Sequence, residues 1–253
     1  MSLTPWLRIG SNEIYLESLP FLLERSRLLL PLFKRILIES CISSVEVSES
    51  EQKTFHTKFL SQNSIANEDE LAQWLEKNNL TEEQATQNIL EALSLEKYKD
   101  LHFSSRVDQV FLESKDLRDR VVYSMLRVSS RSIAQELFLL LQDGDSTFTE
   151  LCEQHSVGSE KETGGLIGPI ELARLHPQVS EMLRISTPGQ LWQPFELEGF
   201  WVLLRLDKKF PSQLDQPMIK RIRNELFNDW LQSECDRLMR SYKDSVSSQE
   251  AKG

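Results

Sequence analysis

VVYSMLRV at residues 121–128 and FWVLLRL at residues 200–206 decide the fold of this chain. Both runs are dominated by β-branched, aromatic and aliphatic residues, and both have strand length, so each reads as a β-strand. Between them, Ser130 begins a helical run over residues 133–142 that stops at Asp143-Gly144-Asp145, and a short helix follows near residues 148–154. Residues 158–168 hold the densest turn signal, including Gly164 and Gly165, where a structural turn calls for positive φ. Strand, helix, short helix, loop, short elements and strand in that order make an α+β domain built on a small antiparallel sheet.

Upstream the pattern is helical. Ser18 and Pro20 open a Leu- and Phe-rich segment at helical spacing, which Pro31 is expected to kink or interrupt. The brief alternation ISSVEV at residues 42–47 reads as strand-like, and helical patterning resumes near Glu49. Asn67 with Glu70, and Thr81 with Gln84, form capping-box arrangements that predict helices over 68–78 and 82–105. Beyond Pro211 and Pro217 an amphipathic helix is expected over 218–242, with Ile222, Leu226, Phe227, Trp230, Leu231 and Leu238 on its apolar face. The tail 244–253 is small and polar and is expected to fray. The domain reading is 1–117 helical, 118–210 α+β, and 211–253 a helix packing back on the N-terminal bundle, with Trp230 and Leu231 against residues 28–37.

Composition narrows the function. A net charge of −10 in 253 residues gives no basic footprint for nucleic acid. The apolar stretch 21–38 carries Glu24, Arg25, Arg27, Lys34 and Arg35, a charge density that argues against membrane insertion. The N-terminus lacks a basic region followed by an apolar one, so a cytoplasmic setting is expected. Cys41, Cys152 and Cys235 are far apart and form no CxxC pair, which suits three reduced thiols. His56, His102, His155 and His176 show no metal-ligand spacing, and no cofactor is implied. Gly164-Gly165-Leu166-Ile167-Gly168 lacks the Lys-Ser/Thr of a phosphate loop, and Ser156 after His155 lies in no GxSxG elbow.

Across about ninety residues the middle segment resembles the parvulin-type peptidyl-prolyl isomerase (PpiC, rotamase) family. The resemblance rests on VYSMLRV at 122–128, AQEL at 134–137, DGDSTFTELCEQHS at 143–156, GGLIG at 164–168, PGQLWQP at 188–194 and EGFWVLLR at 198–205. The helical flanks resemble those of SurA-like foldases, notably residues 67–104. This likeness implies binding of unfolded or extended polypeptide, including proline-containing segments. It also implies an apolar substrate-binding set of Met125, Ile167, Leu175, Val179, Phe195 and Trp201, in which Trp201 could itself fill the groove. The family's first-strand His, loop-entry Asp or Cys and last-strand His correspond here to Met125, Val157 or Gly158, and Trp201. Its Gly-Gly-Asp-Leu-Gly has Leu166 for the Asp. The polar network beneath an isomerising bond is therefore expected to be missing, so no catalytic residue is assigned. Binding is expected to outlast catalysis, unless Ser124, Tyr123 or Glu198 substitutes. The leading expectation is a foldase or chaperone with weak or lost isomerase activity. The alternative is a non-catalytic adaptor for one precursor peptide or secretion or maturation partner.

Overall fold

The computed structural model describes residues 6–250, with side chains described through residue 244. The contacts divide the chain into two units: residues up to 107 together with those from 219 onward, and residues 108–218. The sequence reading put the first boundary ten residues later, at 117.

The first unit is largely helical. A hairpin of β1 (Leu7–Ile9) and β2 (Asn12–Ile14) precedes α1 (Leu19–Arg25), α2 (Leu29–Ser43), α3 (Glu49–Gln62), α4 (Glu68–Lys77) and α5 (Glu82–Phe103). Capping fixes three of these starts. Ser48, Asn67 and Thr81 each accept a hydrogen bond from the backbone N–H three residues on, which satisfies a donor that the first helical turn leaves orphaned. Pro31 kinks nothing: it lies in the first turn of α2, where its missing N–H is no loss. The interruption falls before it, at Arg27, whose φ is 58°. The strand expected at residues 42–47 does not form. Its first residues finish α2, and no neighbouring strand is present to take up its backbone groups.

The long helix α10 (Gln216–Glu250) supplies much of this unit's core. Ile222, Leu226, Phe227, Leu231 and Cys235 are buried along one face. Trp230 and Phe227 join Tyr98 and Phe103 of α5 in one aromatic cluster, with centroids 5.7–6.4 Å apart, separations that favour edge and offset ring packing. Trp230 thus makes its ring contacts with α5 and with Phe227 of its own helix. Among the described residues, α10 also makes a ring contact with α2, Phe33 with Tyr242 farther along. Lys99 to Asn224 at 2.9 Å and the Arg223–Asp100 pair tie the same two helices at their rims. The helix continues through Glu250, past the predicted stop at 242. Of the predicted frayed tail, residues 251–253 lie outside those described.

The second unit has the expected α+β architecture. It contains α6 (Val107–Arg118), β3 (Arg120–Val128), α7 (Arg131–Asp143), α8 (Phe148–His155), β4 (Leu166–Glu171), α9 (Pro177–Ile185), β5 (Phe195–Leu197) and β6 (Phe200–Phe210). The sheet order is β4-β3-β6-β5, antiparallel throughout. Alternation along β3 divides the core in two. Leu126 and Val128 face α7 and α8, packing with Ala134, Leu137, Phe138, Phe148 and Leu151. Val121 and Tyr123 face the other way, toward Leu172 and toward Val179 and Leu183 of α9. Gly168 has φ 116°, and a Cβ there would collide with the carbonyl oxygen of Val121, so β4 can approach β3 only with glycine at that position.

Two substitutions test this packing. Phe227→Ala is expected to cost the first unit about 3–5 kcal/mol, read as a lowered urea midpoint in Trp230 fluorescence. Ser180 Oγ on α9 is buried with no hydrogen-bond partner, so Ser180→Ala should stabilise the second unit by about 1 kcal/mol. A loss of stability instead would mean the hydroxyl is satisfied.

Candidate functional site

Most of the residues singled out in the sequence lie on the face of the sheet that carries α9. Met125, Ile167, Leu175 and Phe195 are half-buried and pack against the cluster that contains Val179. Five of the six expected substrate-binding residues therefore share one apolar surface, delivered by β3, β4, the turn after β4, α9 and β5. Register holds them there: Tyr123 pairs with Ile167, Met125 with Leu204, and Phe195 with Val202, and directly paired residues share a face. Tyr123, Met182, Trp192 and Leu197 complete the surface. Trp192 donates its indole N–H to Ser186 Oγ at 2.8 Å, which fixes the ring.

Trp201 is not part of it. It pairs with Val128, packs against the α7–α8 core and has the Arg131 guanidinium 5.2 Å from its ring centroid. Its alternation along β6 places it with Leu203, opposite to Val202 and Leu204, so it does not fill the groove. Ser124 also faces away: it donates to Asp207 at 2.6 Å and accepts from Arg205. Glu198 is exposed in the positive-φ turn between β5 and β6. Of the three side chains considered as polar replacements, Tyr123 alone lies on the groove side. Its hydroxyl makes no hydrogen bond among the described residues. Burial raises its pKa, the negative charge of Glu160 raises it further, and Arg127 acts the other way, so Tyr123 is a neutral phenol near pH 7.

A charged group is present that sequence reasoning missed. Arg127, two residues beyond Met125 on the same face of β3, forms a forked ion pair with Glu160. Nε donates to Oε1 at 3.0 Å and Nη2 to Oε2 at 2.6 Å. The Glu160 side chain is 2% exposed and that of Arg127 28%. Ser156 Oγ donates to Glu160 Oε1 at 2.7 Å, accepts from the Arg127 backbone N–H at 3.1 Å, and Val157 N–H donates to Arg127 O at 2.9 Å. Burial pushes the Glu160 carboxyl pKa up, but the bonds from Arg127 and Ser156 outweigh it, and the net shift is downward. A Cβ on Gly158 would fall on the Arg127 guanidinium and the Glu160 carboxylate. The space beside residue 158 is therefore already occupied by this pair. The available signal was an arginine on the apolar phase of a half-buried strand, which requires a partner; nothing in the spacing identified Glu160, 33 residues on.

The surface offers few catalytic groups. Among the described residues no cluster of His, Cys, Asp or Glu is arranged to hold a metal ion. Among the described residues, no helix is long and apolar enough to cross a membrane.

Residues 124–208 match the rotamase family model, described as the PPIC-type PPIASE domain. A chaperone SurA from Colwellia psychrerythraea is 26% identical over 118 residues, which are 46% of this chain and 27% of that protein. The match thus spans about a quarter of that relative's length. In shape, the chain is similar to the peptidylprolyl isomerase PrsA of Bacillus anthracis, with TM-score 0.47, 20% identity, and 82% of this chain and 96% of that one covered. It is also similar to the foldase protein PrsA of Streptococcus pneumoniae, with TM-score 0.43, 15% identity, and coverage of 95% and 94%.

The ion pair sets a pH signature. The Glu160 pKa lies below the usual 4.5 in the folded state. The pair's stabilisation is therefore complete above 4.5 and is lost as pH falls through the lowered value. Glu160→Gln is expected to cost the second unit about 3 kcal/mol near pH 7. The gap between wild type and variant should be full above about pH 4.5 and should narrow as the pH falls below it. A gap that stays constant on acidification would show that the charge of Glu160 contributes nothing.

Proposed function

We propose that the PPIC-type rotamase domain at residues 124–208 makes this chain a foldase or chaperone that binds extended, unfolded polypeptide on the α9 side of its sheet. The observation that carries this reading is the gathering of half-buried Met125, Ile167, Leu175 and Phe195 on one apolar face, over buried Val179. Such a face recovers free energy by covering apolar side chains, at about 25 cal/mol per Å² removed from water. Proline suits it, being apolar and short of one backbone donor.

Isomerisation asks for more than binding. The barrier to rotation is about 18–20 kcal/mol, and lowering it requires groups that favour the twisted amide over both planar forms. The apolar members of this surface supply no directed donors, and the polar groups identified beside them are a neutral phenol and an arginine already paired with Glu160. Affinity without strong catalysis follows from that composition. The three cysteines are unpaired and buried, which suits a reducing compartment, and a cytoplasmic setting belongs to this reading. Selectivity among clients separates a chaperone from an adaptor for one precursor peptide, since a chaperone binds unrelated unfolded chains with similar affinity.

The test is binding of unfolded proteins and short X-Pro peptides, with cis/trans exchange followed by NMR. Ile167→Asp should weaken binding about tenfold or more, because a carboxylate replaces apolar contact surface. Trp201→Ala should leave the affinity of the folded protein unchanged, as that ring is on the opposite face. The reverse pattern would relocate the binding site to the α7–α8 side.

A further inference from the structure

Arg127 is anchored more firmly than a surface arginine. Glu160, itself held by Ser156, takes two of its donors in a fork, and a guanidinium has five. Among the described residues nothing accepts from the others, and the side chain is 28% exposed. Arg127 stands in one cross-strand row with Val202 and Phe195 and one alternation beyond Met125. The apolar groove thus has a fixed, partly open hydrogen-bond donor at its edge, with its rotamer set before any ligand arrives.

We propose that Arg127 is a further ligand-binding residue of this surface, donating a hydrogen bond to a backbone carbonyl oxygen of the bound segment, next to the residue seated on Met125 and Phe195. This rests on the reading of the α9 side as a polypeptide-binding face. The chemistry selects a carbonyl over a carboxylate. Glu160 neutralises the guanidinium, so the pair carries no net charge to attract an acidic side chain, but the free N–H groups remain strong donors. Pre-anchoring by Glu160 means little rotamer entropy is lost on binding.

The same geometry bears on catalysis. Amide resonance places negative charge on oxygen in the planar forms, cis and trans alike, and twisting removes it. A donor held on that oxygen stabilises the planar forms more than the twisted one. Arg127 therefore adds affinity and does nothing to speed rotation, which is the behaviour of a recognition groove.

The experiment is an NMR titration of full-length protein with one X-Pro peptide and with its analogue carrying sulfur in place of the carbonyl oxygen before proline, a weaker acceptor. The Met125 methyl signal reports occupation of the groove, and the Arg127 guanidinium signals report the hydrogen bond. Both should move with the oxygen peptide, and the sulfur analogue should bind about five- to tenfold more weakly. Arg127→Lys, which keeps the charge for Glu160 but loses the fork, should bind the two peptides alike. If the Met125 methyl moves while the Arg127 signals stay still and both peptides bind equally, the carbonyl contact is wrong and groove binding stands. If neither signal moves with bound peptide, the groove reading fails and this inference falls with it.

Discussion

The antiparallel ladder between β3 and β6 is the constraint on which the second unit rests. It runs from Arg120 opposite Phe210 to Val128 opposite Trp201, with one irregularity near Val122 and Tyr123. A shift of one residue in that register would exchange the two faces of β6. Leu203 would leave the α7–α8 core, and Leu204 and Leu206 would leave the α9 core; all three are fully buried. With roughly 2 kcal/mol at stake for each such side chain, the register is strongly fixed. The groove inherits this definition, since Met125 and Phe195 are placed by their pairing to β6.

How far the sequence could be read follows from the same alternation. The strands at 121–128 and 200–206, the helices at 68–78 and 82–105 and the helix after Pro217 were visible because long periodic runs and capping residues mark them locally. The hairpin at residues 7–14 was not, since three-residue strands with largely exposed side chains leave no pattern. Helix α9 is nine residues long and reads as loop without its partner cluster. Residues 107–118 continued the helical upstream character and gave no sign of a separate element. Met125, Ile167, Leu175, Val179 and Phe195 fall together because apolar side chains on the same phase of a strand land on one core face. Trp201 falls on the opposite face, which the sequence could not foretell because both faces of β6 are apolar there and pairing with Val128 chooses between them. Arg127 and Glu160 were missed because their meeting depends on the loop 156–165 folding back over β3, a tertiary event with no local signature.

That loop shows how a charged group comes to sit beside an apolar surface at tolerable cost. Removing a carboxylate from water costs several kcal/mol, and one ion partner alone seldom repays it. Here the Glu160 carboxylate also accepts from Ser156, and Ser156 in turn receives the backbone N–H of Arg127. Gly165 lies on the same seam, with φ 83° and its carbonyl accepting from Met125 N–H at 2.9 Å. The charge, the turn and the groove residue Met125 are therefore parts of one hydrogen-bonded strip. Within it, polar order stiffens the edge of a largely apolar surface.

The first unit is assembled from chain segments on either side of the second, and this bears on the order of events during synthesis. Tyr98 and Phe103 are made early, but the rings that cover them, Phe227 and Trp230, emerge more than a hundred residues later. Until then those aromatic faces are open to water and to other chains on the ribosome. The intervening unit has all of its own sheet and both of its cores by residue 210, so it can fold while the first still waits. Its own ends are tied together, Ser212 donating to the Lys115 carbonyl and its backbone N–H to Asp119. Folding the insert first replaces a long flexible loop by a short tether, and the entropy of closing the flanking helices around it falls accordingly.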